Sequence, residues 1–166
     1  MTIQVVFSHG KESGPLGTKI ISMMDYVKSN YDCEVHSIDY QNLSSPEDRV
    51  SKLVSFLKTL NGDIVLVGSS MGGYVSTVAS EKVNIKGLLL LAPAFYLDGY
   101  EVQNFSSSCK NISIIHGWED DVVIYQNSVL FAKQNVAKLL IVNDNHRLAN
   151  CSEDINYQLG CVMNNS

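Results

Sequence analysis

The chain has 166 residues, 45% hydrophobic and 17% charged, with a formal net charge of -5 at pH 7. That length buries enough apolar surface for one independent domain, residues 1–166, and is too short for two ordinary ones. The acidic balance and the lack of a clustered Lys/Arg stripe argue against nucleic acid as the main partner, because phosphate binding needs concentrated positive charge. No apolar run approaches the roughly 20 residues that span a bilayer, so no membrane role is expected. Met1-Thr2 leads straight into the first apolar run without a basic region or signal core, which points to a cytoplasmic protein. Cys33, Cys109, Cys151 and Cys161 are scattered without C-x-x-C spacing and are expected as free thiols.

Short apolar runs alternate with amphipathic stretches, and no repeat or low-complexity linker intervenes. This is the pattern of a mostly parallel sheet joined by crossover helices, an α/β fold. The first predicted strand, 3–7, ends in Ser8-His9-Gly10-Lys11-Glu12-Ser13-Gly14-Pro15. The turn is glycine-rich without being a phosphate loop: a Walker loop needs G-x-x-x-x-G-K-[ST], whereas Gly10, Gly14 and Gly17 precede Thr18-Lys19, and no G-x-G-x-x-G is present. A helix follows with Leu16, Ile20, Met23, Met24 and Val27 on its apolar face. After a strand over 34–38, Ser45 is the expected N-cap and Pro46 the first residue of a second helix, with Val50, Leu53, Val54, Leu57 and Leu60 as its stripe.

The strand over 63–67 runs into Gly68-Ser69-Ser70-Met71-Gly72 and a helix ending near residue 82. A strand over 87–91 precedes an aromatic segment, 93–109, too short for a separate lid domain. The strand over 112–115 ends in His116-Gly117-Trp118-Glu119-Asp120-Asp121-Val122-Val123. A helix over roughly 124–136, with Tyr125, Val129 and Ala132 inward, leads to a strand over 138–142. That strand ends in Asn143-Asp144-Asn145-His146, and a terminal helix holds Ile155, Leu159 and Val162.

The chemistry centres on Gly68-Ser69-Ser70-Met71-Gly72, a G-x-S-x-G pentapeptide at a strand-to-helix reversal. Glycines two residues either side of Ser70 let strand and helix backbones pass closely, so the hydroxyl projects from a strained turn with the helix N-terminus behind it. A hydroxyl is a poor nucleophile at neutral pH and needs an imidazole as base and a carboxylate to orient that imidazole. His146 and Asp120 follow in order, each just past a strand's C-terminal end, the edge where ligands of open parallel sheets gather. Glu119 and Asp121 adjoin Asp120 and stand as alternative acids. His9, His36 and His116 sit in or beside strands and are read as structural, and Asp144 as a turn or surface residue. No H-E-x-x-H or paired Cys/His spacing is present, so neither a metal nor a cofactor is expected.

These motifs resemble the α/β-hydrolase superfamily, in particular its small, lid-poor bacterial serine esterases, over nearly the whole chain. The resemblance rests on the early Ser8-His9-Gly10 turn, the Gly68 to Gly72 elbow, the H-G-x-x-D-x-x-V stretch from His116 to Val123 and the late His146, in the family's order Ser, Asp, His. It implies about six strands in the order 2-1-3-4-5-6 with helices on both faces, and an acyl-enzyme on Ser70. It further implies an oxyanion hole from the backbone N–H groups of Lys11 and Met71, and a small-molecule acyl substrate, first a carboxylic ester, with thioester and amide sharing the machinery. Phe95 and Tyr96 either line an acyl pocket or pack the loop against the sheet. A domain that binds a ligand or protein without turnover is the alternative class, and the sequence carries no signal for oligomeric state.

Overall fold

The computed structural model describes residues 1–165. Six strands form one sheet: β1 (Ile3–Ser8), β2 (Cys33–Ile38), β3 (Asp63–Ser69), β4 (Gly87–Leu91), β5 (Ile112–Gly117) and β6 (Lys138–Val142). Their order is β2-β1-β3-β4-β5-β6, and all five pairings are parallel. Five helices connect them: α1 (Thr18–Asn30), α2 (Pro46–Leu57), α3 (Met71–Ser80), α4 (Tyr125–Asn135) and α5 (Ser152–Asn164).

Because successive strand residues face opposite sides, register sorts the core into two layers. Val6, Leu66, Leu88 and Ile112 stand in one row across four strands and pack under α2, α3 and α4. Phe7, Val67 and Leu89 make a row on the other face, beneath α1 and α5. Strands covered on both faces read as continuous apolar runs, and β4, Gly-Leu-Leu-Leu-Leu, is buried at every position. Each such leucine contributes about 1.5–3 kcal/mol relative to an exposed one. α3 lies between sheet and α2 and is buried along its whole length.

Local chemistry sets most boundaries. Ser45 accepts a hydrogen bond from Asp48 N at 3.3 Å as the N-cap of α2, with Pro46 as its first residue. β3 and β5 each extend two residues past their apolar runs, because Ser69 pairs with Leu91 and Gly117 with Val142. Leu16, expected on the face of α1, lies in the preceding turn and is 64% exposed, since that helix starts only at Thr18. Leu60 lies beyond the end of α2, half-buried. α4 turns Ser128 and Phe131 fully inward, while Tyr125, Val129 and Ala132 are only half-buried. The four cysteines are unpaired. Among the described residues no helix is long and apolar enough to cross a membrane.

Candidate active site

β3 ends against α3 with almost no room to turn, and Ser70 absorbs the reversal at φ 55 and ψ -117. A non-glycine residue there carries strain of order 1–3 kcal/mol, which the surroundings must hold in place. They do so through four hydrogen bonds: Ser70 N donates to Leu91 O at 2.9 Å, and Ser70 O accepts from Gly73 N at 3.0 Å, Ala94 N at 2.9 Å and Tyr74 N at 3.4 Å. A methyl group on Gly68 would lie 2.3 Å from Gly72 O, and one on Gly72 would lie 2.0 Å from Ser8 O. The pentapeptide glycines are therefore sites of backbone contact. The second contact also brings the turn after β1 against the elbow.

The loops after β5 and β6 meet Ser70 at the same sheet edge. His146 Nε2 lies 3.0 Å from Ser70 Oγ, and His146 Nδ1 lies 2.7 Å from Asp120 Oδ2. An ionised carboxylate can only accept, so Nδ1 carries the imidazole proton and Nε2 presents its lone pair to the serine hydroxyl. Burial opposes ionisation of Asp120. Hydrogen bonds from His116 and His146 and from the Val123 and Val122 N–H groups outweigh it and hold the carboxyl far below the usual carboxylate range. Its Oδ1 accepts from Val122 N at 2.9 Å and Val123 N at 2.8 Å. Glu119 and Asp121 are exposed on the same loop, and it is Asp120 that the structure brings to His146.

Two neighbours set these loops. His116 is fully buried, with Nε2 2.7 Å from Val123 O and 3.0 Å from Asp120 Oδ2, and Nδ1 2.7 Å from Ser128 Oγ. Facing two acceptors, Nε2 carries the proton, so His116 holds the acid loop as a structural imidazole and also touches the carboxylate. Asp144 is a turn residue, but a buried one: it accepts from Asn145 N and Asn150 N, both at 2.8 Å, and shapes the loop that carries His146. A methyl group on Gly117 would fall 2.3 Å from Asp144 O, so the two loops are backed by main-chain contact.

As the first residue of α3, Met71 has no carbonyl one turn earlier in the helix, which leaves its N–H open beside Ser70. Lys11 follows Gly10, whose missing Cβ position is 3.4 Å from Ser70 Cβ. Its side chain is exposed, as is that of Glu12. Phe95 is fully buried and stacked on Phe131 at 4.3 Å, and Tyr96 packs edge-on against Phe105 with its hydroxyl donating to Gln134 Oε1 at 3.1 Å. Of the two readings for this pair, packing of the loop is what these contacts describe. Two surface cavities, of about 640 and 490 Å³, lie away from Ser70, toward the opposite sheet edge and near residues 105–110. Among the described residues no cluster of three metal-ligating side chains occurs.

Sequence reasoning passed over Arg49 and Tyr40, both fully buried beside the turn after β1. Arg49 falls four and eight residues before Leu53 and Leu57. A charged residue in line with a helix's apolar stripe was the available signal.

The model of UPF0227, an uncharacterised protein family, matches residues 4–104, more than half of the chain. The chain belongs to that family. The matched stretch holds Lys11, Ser70 and Met71 but stops before Asp120 and His146. The fold is similar to that of a protein of the alpha/beta superfamily of hydrolases from Xanthomonas campestris pv. campestris, at TM-score 0.84 and 23% identity over 98% of each chain. It is also similar to the ydeN gene product of B. subtilis, at TM-score 0.83 and 18% identity over 98% of this chain and 99% of that one. Est1E from Butyrivibrio proteoclasticus, solved with ferulic acid bound, aligns at TM-score 0.75 and 19% identity over 98% of this chain and 88% of its own. No curated protein matches the sequence. The architecture is the α/β-hydrolase fold, in the strand order its motifs imply.

Proposed function

We propose that this protein is a serine hydrolase that cleaves small carboxylic esters through an acyl-enzyme on Ser70. The observation that carries the reading is the unbroken path from Ser70 Oγ through His146 to Asp120, with separations of 3.0 and 2.7 Å. Ser70 Oγ attacks the ester carbonyl while His146 Nε2 takes its proton, and the carbonyl electron pair moves onto oxygen as a tetrahedral anion. Met71 and Lys11 N–H groups hold that anion, supported by the N-terminus of α3. As the tetrahedral centre collapses, His146 returns the proton to the leaving alkoxide, and the alcohol departs. Water repeats the cycle: it gives up a proton to His146 as it attacks the acyl carbon, and His146 passes that proton to Ser70 Oγ as the carboxylic acid is released. Asp120 stays ionised throughout and stabilises the imidazolium in both halves. None of these steps calls on a metal or cofactor.

Two features favour a small ester. Residues 93–109 form no cap: Val102 N donates to Tyr74 Oη at 2.9 Å and Ser106 N to Glu81 Oε1 at 2.7 Å, tying the segment to the body. On the acid loop, Trp118 and Val122 are 52% and 60% exposed and offer apolar rim surface for an acyl or aryl group. Incubation with a fluorophosphonate probe tests the nucleophile. Stoichiometric labelling that disappears in Ser70→Ala, with hydrolysis of p-nitrophenyl acetate lost alongside, supports the reading. An intact, folded protein that takes no label favours a binding domain without turnover.

A further inference from the structure

Arg49 is 2% exposed, yet among the described residues no carboxylate lies within 4.0 Å of its guanidinium. A buried cation without an anion is costly unless its donors are satisfied otherwise. Here backbone carbonyls do so. Nε donates to Leu43 O at 2.7 Å, Nη1 donates to His9 O at 3.3 Å and Gly10 O at 3.1 Å, and the guanidinium lies 5.3 Å from the Tyr40 ring centroid. His9 adds a second donor to the same place. Its Nε2 accepts from Tyr40 N at 2.9 Å, so the ring proton sits on Nδ1, which donates to Gly10 O at 2.7 Å. Burial disfavours the charged ring and lowers the His9 pKa, in keeping with a neutral imidazole held in this tautomer.

The carbonyl of Gly10 and the N–H of Lys11 are opposite ends of one planar peptide group. We infer that Arg49, with His9, is a positioning residue for the oxyanion hole, fixing and polarising the Gly10–Lys11 peptide so that its N–H faces the carbonyl oxygen of a substrate on Ser70. A charged donor on the carbonyl end draws electron density through the amide and strengthens the N–H as a donor, and two donors from different directions prevent the peptide plane from rotating. The placement serves Ser70 because the Gly10 Cβ position is 3.4 Å from Ser70 Cβ. The device gives the site a positive charge that never contacts substrate. It acts where negative charge develops in the transition state, and so affects turnover more than substrate binding.

This inference rests on the serine-hydrolase reading and is tested beside it with wild type, Ser70→Ala, Arg49→Lys and Arg49→Met. For wild type and the two Arg49 variants, kcat and KM for p-nitrophenyl acetate are normalised to the concentration of labelled sites titrated with the fluorophosphonate on a separate aliquot, together with Ki for a trifluoromethyl ketone that adds to the serine as a tetrahedral anion; Ser70→Ala is the unlabelled, inactive control. Removing one oxyanion donor outright costs about 10²–10³-fold in kcat. Misdirecting one should cost Arg49→Met roughly 10–10²-fold, with KM within about twofold and the ketone Ki rising in parallel with the loss in kcat. Arg49→Lys, which keeps a cation but not the fork, should recover part of both. If Arg49→Met does not fold, Arg49→Lys decides, with a fall in kcat of about fivefold or more expected at unchanged KM. Variants that lose thermal stability but keep wild-type kcat and ketone affinity per labelled site overturn the inference alone and leave Arg49 as a tie between α2 and the turn. A wild-type chain that takes no label and hydrolyses no ester overturns the serine-hydrolase reading, and this inference with it.

Discussion

Asp120→Asn isolates the acid with little change in shape, and its cost can be worked from the contacts. Oδ1 accepts two backbone N–H groups, from Val122 and Val123, so the asparagine must keep its oxygen there. Its NH₂ then replaces Oδ2, opposite His146 Nδ1 and His116 Nε2. Donor would face donor, and His146 relieves the conflict by moving its proton to Nε2, where it points at Ser70 Oγ and can no longer accept. The charge is lost as well. At an effective dielectric of about 20, unit charges 2.7 Å apart attract by about 6 kcal/mol. His146 is 21% exposed, so water retains part of that stabilisation for the imidazolium. At about 1.4 kcal/mol per decade, the remaining loss and the wrong tautomer together predict a fall in kcat of roughly 10³–10⁴-fold. Steady-state hydrolysis of p-nitrophenyl acetate measures it, with thermal melting as the control for folding. Asp120→Asn within tenfold of wild type, or a larger loss in folded Glu119→Gln or Asp121→Asn, would refute this assignment of the acid.

Ser70→Ala and His146→Ala should each lower kcat by about 10⁴-fold or more, and the double variant should be little worse than either, because the two act in one proton transfer; multiplicative losses in single-turnover assays would count against a shared step. Acid should destabilise the fold in a definite direction: burial opposes ionisation of Asp144, but N–H donors from Asn150 and Asn145 outweigh it and lower its pKa below the unfolded value, as happens at Asp120. The stabilisation is therefore complete above the ordinary carboxylate range and lost as pH falls through it toward the folded-state values, so melting temperature should drop below about pH 4, less steeply in Asp144→Asn. With residues 93–109 tied to the body, little acyl surface leaves the water, and each additional buried methylene would otherwise add about 0.8 kcal/mol. Rates across an ester series should favour short acyl chains without activation by emulsified lipid, and a preference for long chains with a jump at the oil–water interface would show that the segment moves as a flap.

The legible part of this molecule is the part written in local pattern. Six apolar runs became six strands because each is flanked by turn chemistry and separated by amphipathic segments of helical length. The loops past β3, β5 and β6 could be placed at one sheet edge because parallel strands put all their C-terminal ends on the same side. Topology alone thus brings Ser70, Asp120 and His146 to one edge of the sheet. Less legible were limits set by tertiary pairing. Nothing local tells that Gly117 continues a strand, since its reason is Val142 across the ladder. On α4 Ala132 packs against the core as expected, whereas Ser128 was passed over because a buried polar residue there is explained only by the His116 ring 2.7 Å away.

The buried polar groups show why the rest stayed hidden. Asp144, read as a turn or surface residue, His116, read as structural, and Arg49, passed over, are charged or titratable residues that the fold buries. Each is buried because loop and turn groups satisfy it: Asp144 by the amides of its own loop, His116 by Val123 O and Ser128, and Arg49 by the Leu43 carbonyl and, from far along the chain, those of His9 and Gly10. His116 and Asp144 bond the loops that carry Asp120 and His146, and Arg49 bonds the turn after β1 that lies against Ser70. A catalytic loop has to keep its geometry while its reactive side chain meets solvent. Rigidity must then come from behind, through polar side chains that can bond main-chain groups no helix or strand has paired. A charged residue lying on a predicted helix's apolar stripe, as Arg49 lies in line with Leu53 and Leu57, is the sequence trace of that arrangement.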